Sequence, residues 1–65
     1  MTDNDLYNLI GKIFYHNRIL DYADYDIAIK LVAQYILNDY YIPGGFNAQQ
    51  FEKQFERFWM TTSDE

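Results

Sequence analysis

The segment from Asp21 to Tyr41 has the most apolar pattern in the chain, and between Asp26 and Asn38 its polar residues recur at four-residue intervals. A four-residue step turns a helix about 40° beyond a full turn, so these polar side chains form one narrow, slanting stripe: Asp26, Lys30, Gln34 and Asn38. A helix that is apolar on its other sides is typical of a buried position, and this apolar run is too short to span a bilayer. We therefore predict a central helix over residues 22–41, with Asp21 as its N-cap, covered on nearly every side.

An amphipathic pattern predicts a helix before this segment. Thr2 as N-cap with Asp5 three residues later indicates a helix over residues 3–17, and Asn17 suits the left-handed conformation at its end. Gly11 lies in the middle of this helix, which indicates either the close approach of a neighbour or a weak helix. The face predicted to be buried consists of Leu6, Leu9, Ile10, Ile13 and Phe14. Ile19 and Leu20 then form an apolar connector that we expect to tuck under the bundle.

A proline and two glycines, in the range 42–45, end the central helix. Asn47 and Gln50 then form a capping box, and Phe46 with Phe51 a hydrophobic staple, which predicts a third helix over residues 47–60. Residues 61–65 are expected to fray as a tail. One face of this helix is apolar: Ala48, Phe51, Phe55, Phe58 and Trp59. The chain is therefore predicted to be a single all-α domain over residues 1–65, a three-helix bundle with a buried central helix.

The composition shows a surplus of aromatic residues and of negative charge. Seven Tyr, five Phe and one Trp are more than a three-helix core of this size needs, and Tyr and Trp are enriched at interfaces. A net charge of −5 argues against direct nucleic-acid binding and favours a basic protein partner. The acidic N-terminus lacks the pattern of a signal peptide, so we expect a cytoplasmic location and no membrane contact.

The residue types needed for catalysis are scarce in this sequence. His16 is the only histidine, Ser63 is the only serine, and there is no cysteine, so no nucleophilic triad can be assembled. A lone histidine near the end of a helix is usually a favourable charge there. A chain of 65 residues also has little room for a cleft. We predict no catalytic residues, no metal and no cofactor.

The most distinctive short segment is the acidic and aromatic run from Asp21 to Asp26. It lacks the glycine and the distal glutamate of a calcium-binding loop. Its carboxylates can stabilise the start of a helix through the helix dipole, or they can form a contact surface for a basic partner, and the two roles are compatible. We expect Tyr15, Tyr22 and Tyr25 to be exposed contact residues.

A second aromatic segment lies at the predicted end of the central helix, where Tyr40 and Tyr41 precede Ile42, Pro43 and Gly44. Adjacent helical side chains point about 100° apart, so one ring should close the core and the other face outward. This corner resembles the paired tyrosines, proline and glycine of colicin-type nuclease immunity proteins, which are small, acidic, helical inhibitors. The resemblance covers five residues, has Ile42 inserted, and occurs in a shorter chain with three predicted helices rather than four. It implies only that Tyr40 and Tyr41 contact a partner.

These features favour a small acidic, non-enzymatic protein-binding module. The most specific hypothesis is an inhibitor, encoded by a phage or mobile element, that mimics DNA and occupies the basic site of a larger nucleic-acid-handling enzyme. Such a target is a nuclease, a CRISPR or restriction effector, or a polymerase. The alternative is a homo-oligomeric structural or accessory subunit, such as a homodimer, that associates through its aromatic residues. The candidate partner-binding residues are Asp21, Tyr22, Asp24, Tyr25, Asp26, Tyr15, Tyr40 and Tyr41.

Overall fold

The computed structural model describes residues 2–63, with Ser63 described by its backbone alone. Within this range the chain forms three α-helices, α1 (Asp3–His16), α2 (Tyr25–Asp39) and α3 (Ala48–Ser63), with a short 3-10 helix (Ile19–Asp21) between the first two. The predicted all-α three-helix bundle is confirmed. All three helices contribute to the core, whose buried apolar residues are Leu6, Ile10, Ile13, Phe14, Ile19, Ala28, Val32, Ile36, Phe51, Phe55 and Phe58.

The starts of α1 and α3 follow the predicted capping patterns. The Asp5 backbone N–H donates to the Thr2 hydroxyl at 3.1 Å, and the Gln50 backbone N–H donates to the Asn47 side-chain oxygen at 3.1 Å. The rings of Phe46 and Phe51 lie 5.4 Å apart, which confirms the predicted staple. These contacts join residues at most five positions apart, which is why the sequence alone predicts them.

The connection between α1 and α2 differs from the prediction. Arg18, rather than Asn17, adopts the left-handed conformation, with φ of 53°. Its carbonyl accepts a hydrogen bond from the Asp21 N–H, so the chain turns into the 3-10 helix before α2 can begin. Asp24 is the N-cap of α2, and the predicted cap at Asp21 is wrong. Of the two connector residues, Ile19 is buried in the core whereas Leu20 is half exposed.

The ends of α2 and α3 also shift. Tyr40 has extended backbone angles, φ −127° and ψ 143°, so α2 ends at Asp39, two residues earlier than predicted. In contrast, α3 continues to Ser63, and the Thr61 hydroxyl donates to the Arg57 carbonyl at 2.9 Å. The prediction that residues 61–65 fray is therefore wrong for residues 61–63, and residues 64–65 lie outside the described range.

Burial of α2 is narrower than its sequence pattern suggests. One stripe, Ala28, Val32 and Ile36, is completely buried, whereas Ile27 is 50% and Leu37 60% exposed. In a bundle of three helices, α2 has only α1 and α3 to cover it, and both lie on the same side. The expectation that α2 is covered on nearly every side is wrong for its outer face. None of the three helices is both long and apolar enough to cross a membrane.

The pairing of α1 with α3 depends on one small residue facing one ring. Gly11 is so close to Phe58 that a β-carbon at position 11 would lie 3.2 Å from Phe58 Cε1. The first of the two sequence alternatives for this glycine, a close neighbour, is therefore confirmed. The Phe14 ring packs edge-on against Phe58 at 5.0 Å and against Trp59 at 6.0 Å between ring centroids, which fills the centre of the bundle.

Candidate functional site

The candidate acidic residues lie where the 3-10 helix leads into α2. Asp21 ends the 3-10 helix, and Asp24 accepts a hydrogen bond from the Ile27 backbone N–H at 3.1 Å. Asp26 lies in the first turn of α2, where a carboxylate is favoured by the helix dipole. All three aspartates are exposed. The capping role of Asp24 therefore leaves the acidic run accessible to a partner.

Tyr25 differs from its neighbours because its ring is half buried. It packs edge-on against Phe55 at 5.4 Å and against Trp59 at 5.5 Å. Partial burial raises the pKa of its phenol above the ordinary value of 10.0, and nearby carboxylates raise it further, in the order Glu56, Glu52, Asp26. The expectation that the Tyr25 ring is exposed is thus wrong, since the ring packs against α3, and its role as a partner contact stays a prediction. Tyr22, at 60% exposure, is the freely accessible ring of this run.

Two glutamates of α3 extend the acidic run across the bundle. Glu52 and Glu56 line a groove of about 390 Å³ beside Tyr25, together with Gln49 and Lys53. We call Asp21, Asp24, Asp26, Glu52 and Glu56 the acidic surface. Both glutamates are exposed on α3, and their place beside Tyr25 depends on how α2 packs on α3. Their four-residue spacing showed only that they share one side of α3.

Tyr15 lies in a different groove, between α1 and α3. Its ring is 58% exposed and contacts Phe58 edge-on, with 5.8 Å between ring centroids. Tyr7 makes the same kind of contact with Phe58, also at 5.8 Å. We call this the aromatic groove, and its described lining residues are Tyr7, Asn8, Gly11, Lys12, Tyr15, Phe58, Thr61 and Thr62. Tyr7 and Lys12 were not predicted as site residues from the sequence, because the groove forms only when α1 and α3 pack together.

Tyr40 and Tyr41 lie at the far end of α2, about 20 Å along the helix axis from its start. Tyr41 is 86% exposed, and Tyr40 is also exposed, so the expectation that one of the two rings closes the core is wrong. The eight candidate residues therefore do not form one site. They occupy three places: the start of α2, the aromatic groove, and the end of α2.

The described residues offer no arrangement for metal binding, since no group of three or more His, Asp or Glu side chains in this range is placed to hold an ion. His16 is exposed in the last turn of α1.

Comparison of the chain with protein-family models, with curated proteins and with solved structures finds no significant match.

Proposed function

We propose that this chain is a non-enzymatic protein-binding module that covers a basic site on a larger partner through its acidic surface. The observation that supports the proposal is the convergence of exposed carboxylates from two elements on one aromatic anchor. Glu52 and Glu56 from α3 line one groove with Tyr25, and Asp26 follows Tyr25 in the first turn of α2. Because the Tyr25 ring packs on Phe55 and Trp59, it joins the start of α2 to α3 and brings the carboxylates of both helices onto one side, which favours binding to a basic surface.

The most specific form of this proposal is inhibition of a nucleic-acid-handling enzyme. A nuclease, a CRISPR or restriction effector, or a polymerase has a basic cleft where phosphates bind. Carboxylates that enter such a cleft accelerate association and exclude the natural polyanion. Tyr22, exposed beside Asp21, would add apolar contact area at the edge of the same surface. Small acidic inhibitors of this kind are suited to phages and mobile elements, and this one would act in the cytoplasm, where its target binds nucleic acid.

The proposal is tested with two variants that lose the same amount of charge. A surface variant carries Asp21→Asn, Asp24→Asn and Asp26→Asn, and the Asn at position 24 preserves the N-cap. A control variant carries Asp3→Asn, Asp5→Asn and Asp39→Asn, which are exposed positions not included in the acidic surface.

Tagged wild-type protein and both variants are incubated with nuclease-treated bacterial lysate, and retained proteins are quantified by mass spectrometry. We expect the wild type and the control variant to retain one basic, nucleic-acid-handling protein, and the surface variant not to retain it. Retention of the same protein by all three would show that the acidic surface is not the contact.

A second candidate function, a homo-oligomeric subunit, is favoured by the outer face of α2. Ile27 and Leu37 are at least half exposed there, and Tyr41 is exposed just beyond the helix end. Apolar side chains grouped on one exposed face are typical of an interaction surface, and these two flank the polar stripe of Lys30 and Gln34 on the outer face of α2. Sedimentation over a range of concentrations distinguishes the two functions. A dimer that dissociates when Ile27 and Leu37 are replaced by Ser would favour the subunit, whereas a monomer at every concentration would reject it.

A further inference from the structure

The aromatic groove between α1 and α3 has a shape suited to one apolar side chain. Gly11 forms its floor, and Tyr7 and Tyr15 lie four residues before and after Gly11, which places one ring on each side of it. Both rings contact the edge of Phe58 at the same centroid distance, 5.8 Å. The groove has a volume of about 500 Å³, which is large enough to take an aromatic or branched aliphatic side chain between the two tyrosines.

The charge of this groove is opposite to that of the acidic surface. Lys12 lines it, and the Arg57 guanidinium carbon lies 4.4 Å from the centroid of the Tyr7 ring, at the groove's edge. No carboxylate is among the described residues that line it. The remaining polar lining groups, Asn8, Thr61 and Thr62, are neutral. In a chain with a net charge of −5, this is a locally cationic and aromatic site.

We propose that the aromatic groove binds a peptide segment of a partner protein in which an apolar side chain stands next to an Asp or Glu. The apolar side chain would lie against Gly11 and Phe58, between the two tyrosine rings. The neighbouring carboxylate would pair with Lys12, with Arg57 adding positive potential. One carboxylate matches the one lysine of the groove, whereas a nucleic acid presents a run of phosphates that a chain with a net charge of −5 repels.

The test uses a displayed library of random peptides selected on immobilised protein. Selection on the wild type is expected to enrich peptides with Phe, Trp, Leu or Met beside Asp or Glu. Selection on Lys12→Glu is expected to shift the residue beside the apolar one from acidic to Lys or Arg. Lys30→Glu is the matched control, because it makes the same charge change on the outer side of α2, and it should enrich the same peptides as the wild type.

The best enriched peptide is then synthesised and titrated into labelled protein by NMR. Its binding should shift the Gly11 amide signal, and Lys12→Glu should weaken its affinity about tenfold, as expected for losing a charged hydrogen bond. Tyr15→Ser should also weaken it, because one wall of the groove is removed. Both substituted side chains are exposed, so the fold should be retained.

Four results would overturn the proposal. The first is that no motif is enriched, and the second is that the same motif is enriched on Lys12→Glu. Another is that a fluorescent oligothymidine binds the wild type and that Tyr15→Ser abolishes this binding, which would assign the groove to nucleic acid. The last is that the wild type self-associates and Tyr15→Ser abolishes this association, which would assign the groove to a second copy of the chain. The surface variant, with its three Asp→Asn changes, should still bind the selected peptide, so this inference and the proposed function can fail separately.

Discussion

Gly11 of α1 and Phe58 of α3 face each other so closely that an added β-carbon would lie 3.2 Å from the Phe58 ring. The ring has little freedom to move away, since it is 4% exposed and the Phe14 ring packs edge-on against it, with 5.0 Å between centroids. This relationship sets the distance between the two helices. It also leaves the floor of the aromatic groove free of a side chain.

The first prediction is that Gly11→Ala does not stabilise the protein. Alanine is favoured over glycine within a helix by about 1 kcal/mol, but the crowded contact with Phe58 should cost at least that much, since overpacking typically costs about 1–3 kcal/mol. We expect the free energy of unfolding, measured by urea denaturation, to be unchanged or lower.

A double-mutant cycle separates the two effects of this substitution. In a Phe58→Leu background the ring is gone, and Gly11→Ala should then stabilise by about 1 kcal/mol. A gain of this size in the wild-type background would contradict the close contact.

The second prediction concerns Arg18, which adopts φ of 53° outside any helix. A β-carbon in this left-handed conformation costs about 1 kcal/mol, and glycine avoids the cost. Arg18→Gly should therefore raise the free energy of unfolding relative to Arg18→Ala, which removes the same charge but keeps the β-carbon. Equal stability of these two variants in urea denaturation would reject the strained turn.

The third prediction separates the two roles of Asp24. Because its carboxylate caps α2 through the Ile27 N–H, Asp24→Ala should lower the free energy of unfolding by about 1 kcal/mol. Asp24→Asn keeps an oxygen acceptor and should be nearly neutral in stability while removing the charge that a partner would contact. Thermal and urea unfolding of both variants provide the comparison, and an equal loss in both would mean that charge rather than the cap matters.

The fourth prediction is a stability change at alkaline pH due to Tyr25. Burial and the neighbouring carboxylates raise the pKa of its phenol in the folded state, whereas the unfolded chain releases this proton near the ordinary value of 10.0. The contribution of Tyr25 to stability is therefore complete below about pH 10 and is lost as pH rises through the higher, folded pKa. Phenolate absorbance during alkaline titration should show one late step.

Variants of the surrounding residues test the cause of that late step. Tyr25→Phe should remove it, and Glu52→Gln with Glu56→Gln should move it to lower pH by removing two of the charges that raise this pKa. Tyr41→Phe, which deletes an exposed phenol, should leave the late step in place. Its persistence in Tyr25→Phe would mean that another tyrosine is responsible.

Features set by neighbours in the chain were predictable, and those set by distant packing were not. The caps at Thr2 and Asn47 connect residues three positions apart, so their patterns are sufficient. The choice between Asp21 and Asp24 depends on where the turn at Arg18 directs the chain, and both residues are chemically capable of capping.

Packing between distant parts of the chain also decides which residues of α2 are buried and how far the candidate site extends. An apolar pattern indicates which positions of α2 suit a core but not how many helices cover it, so the exposure of Ile27 and Leu37 was not foreseen. The acidic run was visible because it is contiguous. Its extension by Glu52 and Glu56, some 30 residues away in the sequence, follows from the packing of Tyr25 onto α3.

The measurement that tests the central claim most directly is competition for nucleic acid on the captured target. Fluorescence anisotropy follows a labelled nucleic acid bound to the target while this protein is added. We predict that the wild type and the control variant with changes at Asp3, Asp5 and Asp39 displace the nucleic acid, and that the surface variant does not. Binding of the wild type without displacement, or equal displacement by the surface variant, would contradict it.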